Sequence, residues 1–243
     1  METYKLEVLI TGDWVERMKR MKYALCVAKK VNSCYSVVWT STRDYNYENE
    51  YSWTDDYQVG AVQGFEAGQD LIKLPATKKQ HISFGQTVVR EPNGVLKAAT
   101  GAPNGESFIV ANMGGETHIV VDQMIGANFQ TTWVDPDGTI NGKVKVTPQL
   151  KVLVFFEKDI TTGTMFVEVN YPAIEIDFTG TARQTVAFVE SKSIEKAGVW
   201  VQGGGDNFAE PVQTSYSVRN GFQPLAGGYT YTGDVTEDEG SPE

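Results

Sequence analysis

The chain has 243 residues, 41% of them hydrophobic and 21% charged, and its 21 basic and 31 acidic residues leave a net charge of −10. This length suits one large all-β domain or two smaller ones, and the acidic field argues against nucleic acid as a partner. The longest apolar runs, such as Leu150–Phe156, are far shorter than the ~20 residues of a membrane span.

The first 22 residues predict a strand followed by an amphipathic helix within Gly12–Leu25. Asp13 and Glu16 have the spacing of a capping box. The opposite face of this helix is basic, and we expect the whole segment to be an arm through which the protein forms a homodimer. Apolar residues follow the helical spacing i, i+4, i+7 and i+11 at Trp14, Met18, Met21 and Leu25.

From Tyr23 onward, short strand-like runs are separated by Gly, Pro, Asn and Asp. Thr164–Asn170 and Ala173–Thr179 alternate strictly between apolar and polar residues, which is typical of half-buried antiparallel strands. Asn93-Gly94 predicts a tight hairpin between the runs that flank it. The predicted fold is therefore all-β, an antiparallel β-sandwich of two packed halves with one short N-terminal helix. Further strand-like runs are 57–63, 85–91, 94–100, 107–112, 117–122, 143–148, 151–158, 184–190, 198–202 and 214–218.

The division into halves depends on a similarity between 24–39 and 152–169. In both segments an apolar strand is followed by lysine, a polar turn and a second apolar strand, a pattern that suggests duplication. The last eleven residues hold five acids and no base, which is typical of a disordered, solvated tail. The predicted division is an arm at 1–22, a first half at 23–142, a second half at 143–232 and the acidic tail at 233–243.

The two cysteines lie in a predicted hairpin that turns at Asn32-Ser33. In that register Cys34 opposes Val31 and Cys26 opposes Trp39, so the thiols are ~17 Å apart, whereas a disulfide requires Cα atoms within ~7 Å. Both are expected to be free and buried, as in a reducing compartment. The N-terminus also lacks the pattern of a signal peptide, and the chain has no N-x-S/T sequon, so the expected location is cytoplasmic.

No common catalytic motif is present: the chain has no G-x-S-x-G, H-E-x-x-H or Walker-type sequence. Asp135 and Asp137 lie in a D-P-D-G turn without the further acidic ligands of a calcium loop, and the sequence does not decide whether they hold a cation. The prediction is a protein that is not an enzyme and has no metal site.

The segment Arg43–Tyr57 is unusually aromatic for a polar stretch. Such side chains combine a flat apolar face with a polar atom, which suits ligand sites and interfaces. The alternative interpretation is cross-strand packing that stabilises a long hairpin. We expect an aromatic loop that binds a ligand, with the helix face of Trp14 and Met18 lining a second part of the groove. The candidate residues in the loop are Tyr45, Tyr47, Tyr51, Trp53 and Tyr57.

The runs Tyr23–Trp39, Tyr51–Gly68 and His81–Val89 resemble β-proteins from mushroom fruiting bodies. These are the pink chromoproteins that hold a polyene pigment and the fruiting-body lectins of β-sandwich type. The resemblance implies a non-enzymatic, dimeric β-protein that binds a non-covalent polyene-type pigment or a glycan, but no individual binding residue carries over.

Three hypotheses follow for the function. The first is a carrier of a pigment or another lipophilic small molecule, which predicts visible colour or a co-purifying organic compound. The second is a carbohydrate-binding lectin, which predicts agglutination that depends on Trp53. The third is a structural or storage β-protein that binds no small molecule.

Overall fold

The computed structural model describes residues 2–62, 78–166, 168–169, 172–192, 194, 196–203 and 216–217. Within these ranges the chain forms sixteen strands and one short helix, so the predicted all-β class is confirmed. The acidic tail at 233–243 lies outside the described residues.

The elements follow one another closely. The helix α1 spans Trp14–Arg20. The strands are β1 Thr3–Ile10, β2 Tyr23–Val31, β3 Val38–Thr42, β4 Glu48–Val62, β5 Gln80–Ile82, β6 Thr87–Arg90, β7 Phe108–Asn112, β8 His118–Ile125, β9 Asn128–Val134, β10 Gly142–Val146, β11 Pro148–Lys158, β12 Glu168–Val169, β13 Ala173–Asp177, β14 Arg183–Glu190, β15 Gly198–Gln202 and β16 Tyr216–Ser217.

The strands form four sheets. The largest has seven strands in the order β15-β14-β1-β4-β8-β9, with β5 also paired to β4. A four-stranded sheet has the order β13-β11-β2-β3, a three-stranded sheet the order β10-β7-β6, and β12 pairs with β16. The pairs are antiparallel as expected, except that β1 runs parallel to β14 and β6 parallel to β7. The partners in the first of these pairs are far apart along the chain, so no tight hairpin constrains their direction.

The largest core lies between the four-stranded sheet and part of the seven-stranded sheet. Inward-facing side chains of β1, β2, β11 and β14 alternate with outward-facing ones and meet there. Two sheets that face each other across one core have the layering of a β-sandwich. We call it the aromatic core because its members include Tyr4, Trp14, Tyr23, Trp39, Tyr45, Trp53, Phe156, Phe178, Phe188 and Trp200.

A second core lies between the three-stranded sheet and strands β4, β8 and β9. Strand β4 contributes to both cores, with Trp53 in the aromatic core and Tyr57 in the second. Strand β2 pairs with β11, and β1 with β14, so both sheets join strands from either side of the predicted boundary at 142/143. The division into two halves stays a prediction.

The N-terminal segment is built into the fold. Strand β1 lies between β14 and β4 in the seven-stranded sheet, and Trp14, Val15 and Met18 of α1 are buried within the chain. The helix has seven residues, and Asp13 makes no side-chain cap hydrogen bond, so the predicted capping box is wrong. The apolar helix face packs on the aromatic core because a helix this short is stabilised by packing. The homodimer stays a prediction, but the apolar face of α1 expected to form it is covered by the same chain.

Some predicted strands are turns or single bridges. Asn93-Gly94 does form a turn, with Gly94 N–H donating to the Glu91 carbonyl at 2.8 Å. The run 94–100 contributes only isolated bridges, Leu96 to Arg90 and Thr100 to Thr87. The predicted turn at Asn93-Gly94 is therefore confirmed, whereas the predicted strand at 94–100 is reduced to two isolated bridges.

The cysteine hairpin turns where the sequence predicts. Val31 and Cys34 form a bridge across Asn32-Ser33, and both cysteines are free, as predicted. Cys26 is buried as expected, whereas Cys34 is partly exposed because it lies at the hairpin turn. Cys26 pairs with Ser41 instead of Trp39 because the register shifts by one residue between the Val31–Cys34 bridge and the Ala28–Val38 pair, and by another between Ala28 and Val27. Such an irregularity adds residues to one strand and leaves the two thiols far apart.

Candidate functional site

Most of the predicted aromatic residues lie in the interior. The segment expected to be a loop is largely strand β4. Tyr51 packs against the aromatic core, Tyr57 is buried in the second core, and Tyr47 is 57% exposed. The structure therefore gathers five of the seven candidates at one core and separates the other two. The four candidates buried in the aromatic core are Trp14, Met18, Tyr45 and Trp53.

Trp53 lies at the centre of a group of aromatic rings. Its ring stacks on Tyr4 at a centroid distance of 5.9 Å and meets Trp39 at 5.4 Å and Phe178 at 4.9 Å in edge-to-face geometry. Such pairs stabilise a core beyond the area that they bury. The aromatic residues of this segment thus pack across strands and sheets, which is the alternative interpretation of the sequence pattern.

A lysine that the sequence analysis did not single out faces this group. Lys29 lies on β2, is 1% exposed and places Nζ 5.4 Å from the centre of the Trp53 ring. Its cross-strand neighbour Val152 belongs to the aromatic core. A signal was present: successive strand residues face opposite sides, so Lys29 and Lys30 in a buried strand cannot both face solvent. Lys30 faces the other side of the sheet and pairs with Glu175 at 3.0 Å.

Few interactions offset the cost of burying the positive charge of Lys29. Among the described residues its close partner is the Trp53 ring, and no described carboxylate forms an ion pair with it. Burial lowers the pKa of Lys29 to about 8, although the negative charge of Asp55 opposes this shift. A cation–π contact contributes about 2 kcal/mol when desolvated, whereas burial of an ammonium costs several. A substantial fraction of this amine is therefore neutral near pH 8.

Three buried polar atoms on β4 and β8 make no hydrogen bond within the described part of the chain: Tyr51 Oη, Trp53 Nε1 and Gln123 Oε1. Tyr51 and Trp53 are two apart on β4 and so face the same side. A buried polar atom without a partner costs about 1–3 kcal/mol, so such atoms are rare and call for an explanation. Burial raises the pKa of Tyr51, so this phenol stays neutral and remains a hydrogen-bond donor.

Gln123 and Asp55 connect these atoms to the second core. Gln123 Nε2 donates to the Thr54 carbonyl at 3.0 Å and approaches Asp55 Oδ1 at 3.5 Å, and Tyr57 Oη donates to the same carboxylate oxygen at 2.9 Å. Trp39 Nε1 donates to the Gln123 backbone carbonyl at 3.4 Å. The hydrogen bonds hold this carboxylate and amide at the irregular part of β4, where its register with β8 shifts. We call Lys29, Tyr51, Trp53, Asp55 and Gln123 the interior polar cluster.

The interior polar cluster combines donors with flat apolar walls. The ammonium or amine of Lys29, the Tyr51 hydroxyl and the Trp53 N–H can all donate to an oxygen atom. The rings of Trp39 and Trp53 supply apolar faces that suit a planar, conjugated molecule. The arrangement is suited to a largely apolar ligand with one polar, oxygen-bearing end.

A second, separate feature is a shallow groove of about 410 Å³ on the outside of the four-stranded sheet. Arg43 at its rim is exposed and lies 3.8 Å from Asp159. Four of its lining residues are serine or threonine, but the Thr162 hydroxyl already accepts from Ser41 N–H at 2.9 Å. The groove offers hydrogen bonds without an aromatic face for a sugar ring. Its lining consists of Ala24, Ser41, Thr42, Arg43, Ile160, Thr161 and Thr162.

In the predicted turn at Asp135 and Asp137, the Asp135 carboxylate accepts hydrogen bonds from residues of the turn itself. Asp135 accepts hydrogen bonds from Asp137 N–H at 3.4 Å and from Thr139 Oγ1 at 3.0 Å. Across the described ranges, no group of three or more His, Cys, Asp or Glu residues could hold a metal ion. No helix in the described ranges is long and apolar enough to cross a membrane.

Comparison with family models, with curated proteins and with solved structures finds no match to this chain. The resemblance to mushroom fruiting-body proteins therefore stays a prediction. The functional assignment rests on the chemistry of the described residues.

Proposed function

We propose that this protein is a non-enzymatic carrier of a conjugated, lipophilic small molecule with a polar end, held at the interior polar cluster. The single observation that supports it most is Lys29, a buried cation over Trp53 with no ion-pair partner among the described carboxylates. A structural role alone would favour an apolar residue here, because replacing a buried charge with a hydrophobic side chain is often stabilising.

The chemistry of the walls favours this class of ligand. Trp39 and Trp53 present apolar rings, while donors are supplied by Lys29 and by Tyr51 Oη and Trp53 Nε1, which make no hydrogen bond to a described residue. Ligand sites are commonly apolar with a few polar groups that set orientation. A polyene with a carbonyl or carboxyl end would meet both requirements, whereas a sugar would leave many hydroxyls against apolar rings.

The first test is an absorption spectrum of the protein from its native source, across the near-ultraviolet and visible range, with mass spectrometry of a solvent extract. We expect a visible band and one stoichiometric small molecule. A blank spectrum together with an empty extract would contradict the carrier proposal and favour a structural or storage protein.

A matched pair of variants then tests the site. Tyr51→Phe removes a donor at the aromatic core that has no partner among the described residues, whereas Tyr47→Phe makes the same change at an exposed ring. Loss of one ligand hydrogen bond of about 1 kcal/mol weakens binding of the extracted molecule about fivefold. We expect that loss for Tyr51→Phe alone, measured by quenching of tryptophan fluorescence. An equal effect of both variants would argue against this site.

The second candidate function is carbohydrate binding at the groove beside β3. Its support is the row of hydroxyls and the exposed guanidinium of Arg43. A glycan array with wild-type protein and Arg43→Ala tests it, with Arg20→Ala as a control because Arg20 is an exposed arginine outside the groove. Binding that Arg43→Ala abolishes and Arg20→Ala preserves would favour a lectin. The Trp53→Ala test implied by the sequence is unsuitable, since Trp53 is 2% exposed and its loss would disrupt the core.

A further inference from the structure

The geometry points to Lys29 as the covalent attachment point of the carried molecule: we infer that its Nζ forms an imine with a conjugated aldehyde. This inference deepens the proposed carrier function and depends on it. It requires a primary amine among apolar, aromatic side chains and a nearby carboxylate that influences the protonation of its nitrogen.

The backbone of Lys29 is fixed within a sheet. Lys29 is on β2, which pairs with β11 on one side and β3 on the other, and Lys29 itself is paired to Val152. Its Nζ lies 5.4 Å from the centre of the Trp53 ring. A conjugated chain attached to Nζ would therefore start against an indole face, where planar systems pack favourably.

The reaction balances without a co-reactant. The neutral amine attacks the aldehyde carbon, a carbinolamine forms, and loss of one water molecule leaves the C=N bond. No electrons are exchanged with an external oxidant or reductant. Asp55 is the carboxylate that favours the protonated form of Lys29, and the same negative charge would favour a protonated imine at this nitrogen.

Lys29 should also be more reactive than a lysine of ordinary pKa. Burial lowers its pKa to about 8, so at pH 8 it holds on the order of 100-fold more neutral amine than a lysine of ordinary pKa. The charged group that acts on Lys29 is Asp55 on β4, and the aromatic core also contains Tyr4 and borders Tyr51. Burial raises the pKa of both tyrosines, that of Tyr4 to about 12, so both phenols are neutral at this pH.

Lys30 is the matched control on the same strand. It faces the opposite side of the sheet and pairs with Glu175 at 3.0 Å, and its ammonium lies 5.5 Å from the ring centre of Tyr35. It therefore shares a local sequence and an aromatic neighbour with Lys29 but is held in an ion pair. A difference in labelling between the two would report burial, not sequence context.

The experiment uses two probes with the same polyene skeleton, all-trans-retinal and all-trans-retinol, at pH 8. Each is added to native wild-type protein, Lys29→Met and Lys30→Arg, and in parallel during refolding so that access to the interior is not limiting. Borohydride then reduces any imine to a stable amine, which adds the mass of the aldehyde less one oxygen atom. Peptide mapping locates the label, and tryptophan quenching measures binding without a covalent bond.

We expect retinal to label Lys29 at least tenfold more than Lys30, a difference that follows from the larger neutral fraction. The label should vanish in Lys29→Met and persist in Lys30→Arg. Quenching by both probes without a label at Lys29 would overturn covalent attachment and leave the carrier proposal standing. No quenching by either probe would overturn both, and a label spread over exposed lysines would overturn the assignment to Lys29.

Discussion

Lys29 and Trp53 face each other across the two sheets, with Nζ 5.4 Å from the ring centre and each side chain no more than 2% exposed. The contact joins β2 of the four-stranded sheet to β4 of the seven-stranded sheet. It places an ionisable group where a core of this kind would ordinarily have an aliphatic side chain. The stability and the pH dependence of the protein should both reflect this contact.

Replacing Lys29 with methionine should stabilise the protein. Met has a similar length and no charge, so it removes the cost of the buried ammonium and retains packing. At pH 7 we expect the free energy of unfolding to rise by about 2 kcal/mol, measured by urea denaturation. Lys30→Met is the control: it removes a partly exposed ion pair with Glu175 and should lower stability by at most about 1 kcal/mol. A destabilised Lys29→Met variant would mean that the amine has a structural partner.

The free energy of unfolding should rise with pH above about 8. Below that pH, Lys29 is protonated in both states and the native state carries the full cost of the buried charge. Between its native pKa of about 8 and its ordinary value of 10.5, the unfolded chain binds the proton more than the native state does, so stability increases with pH. The largest gain in the free energy of unfolding is on the order of 3 kcal/mol. Denaturation at several pH values checks it, and Lys29→Met should remove this slope.

Two tyrosines on β4 should respond oppositely to loss of the hydroxyl. Tyr51 Oη has no partner within the described residues, whereas Tyr57 Oη donates to Asp55 at 2.9 Å. We expect Tyr51→Phe to leave the free energy of unfolding unchanged or higher. Tyr57→Phe should lower it by about 2 kcal/mol, since it removes a hydrogen bond to a carboxylate. Equal effects in thermal denaturation would show that Tyr51 also has a hydrogen-bond partner in solution.

The first strand should be essential to the fold. Strand β1 lies between β14 and β4, and its Leu6 side chain is fully buried in the aromatic core. Leu6→Ala should lower the free energy of unfolding by about 2–5 kcal/mol. Glu7→Gln, at the adjacent exposed position, should change it by less than about 0.5 kcal/mol. Similar small losses for both would support an N-terminal segment that is a detachable arm.

The two cysteines should differ in reactivity. Burial raises the pKa of both Cys26 and Cys34, and Cys26 is fully buried whereas Cys34 is partly exposed. Since the thiolate is the reactive form, a thiol reagent should modify Cys34 slowly and Cys26 only after unfolding. Titration in denaturant should find both thiols without a reductant. Failure to find them would point to a disulfide.

Local patterns account for much of the fold. Alternating apolar and polar residues predict half-buried strands because side chains of a strand face opposite sides in turn, and most of the predicted runs are strands. Asn32-Ser33 and Asn93-Gly94 both form turns, since these residues tolerate the required backbone angles. The register beyond a turn is less predictable: one shift between the Val31–Cys34 bridge and the Ala28–Val38 pair and another between Ala28 and Val27 together move the partner of Cys26 by two residues.

The sequence by itself determined the all-β class, the turns and the free cysteines, because these depend on side-chain period, local backbone preference and spacing. Only the tertiary structure decided which surfaces are covered. It put β1 at the centre of a sheet by pairing it with a strand at 183–190, turned an expected aromatic loop into core and brought Lys29 to Trp53. The physical reason is that pairing between distant strands depends on the whole set of buried side chains, which no local window of sequence contains.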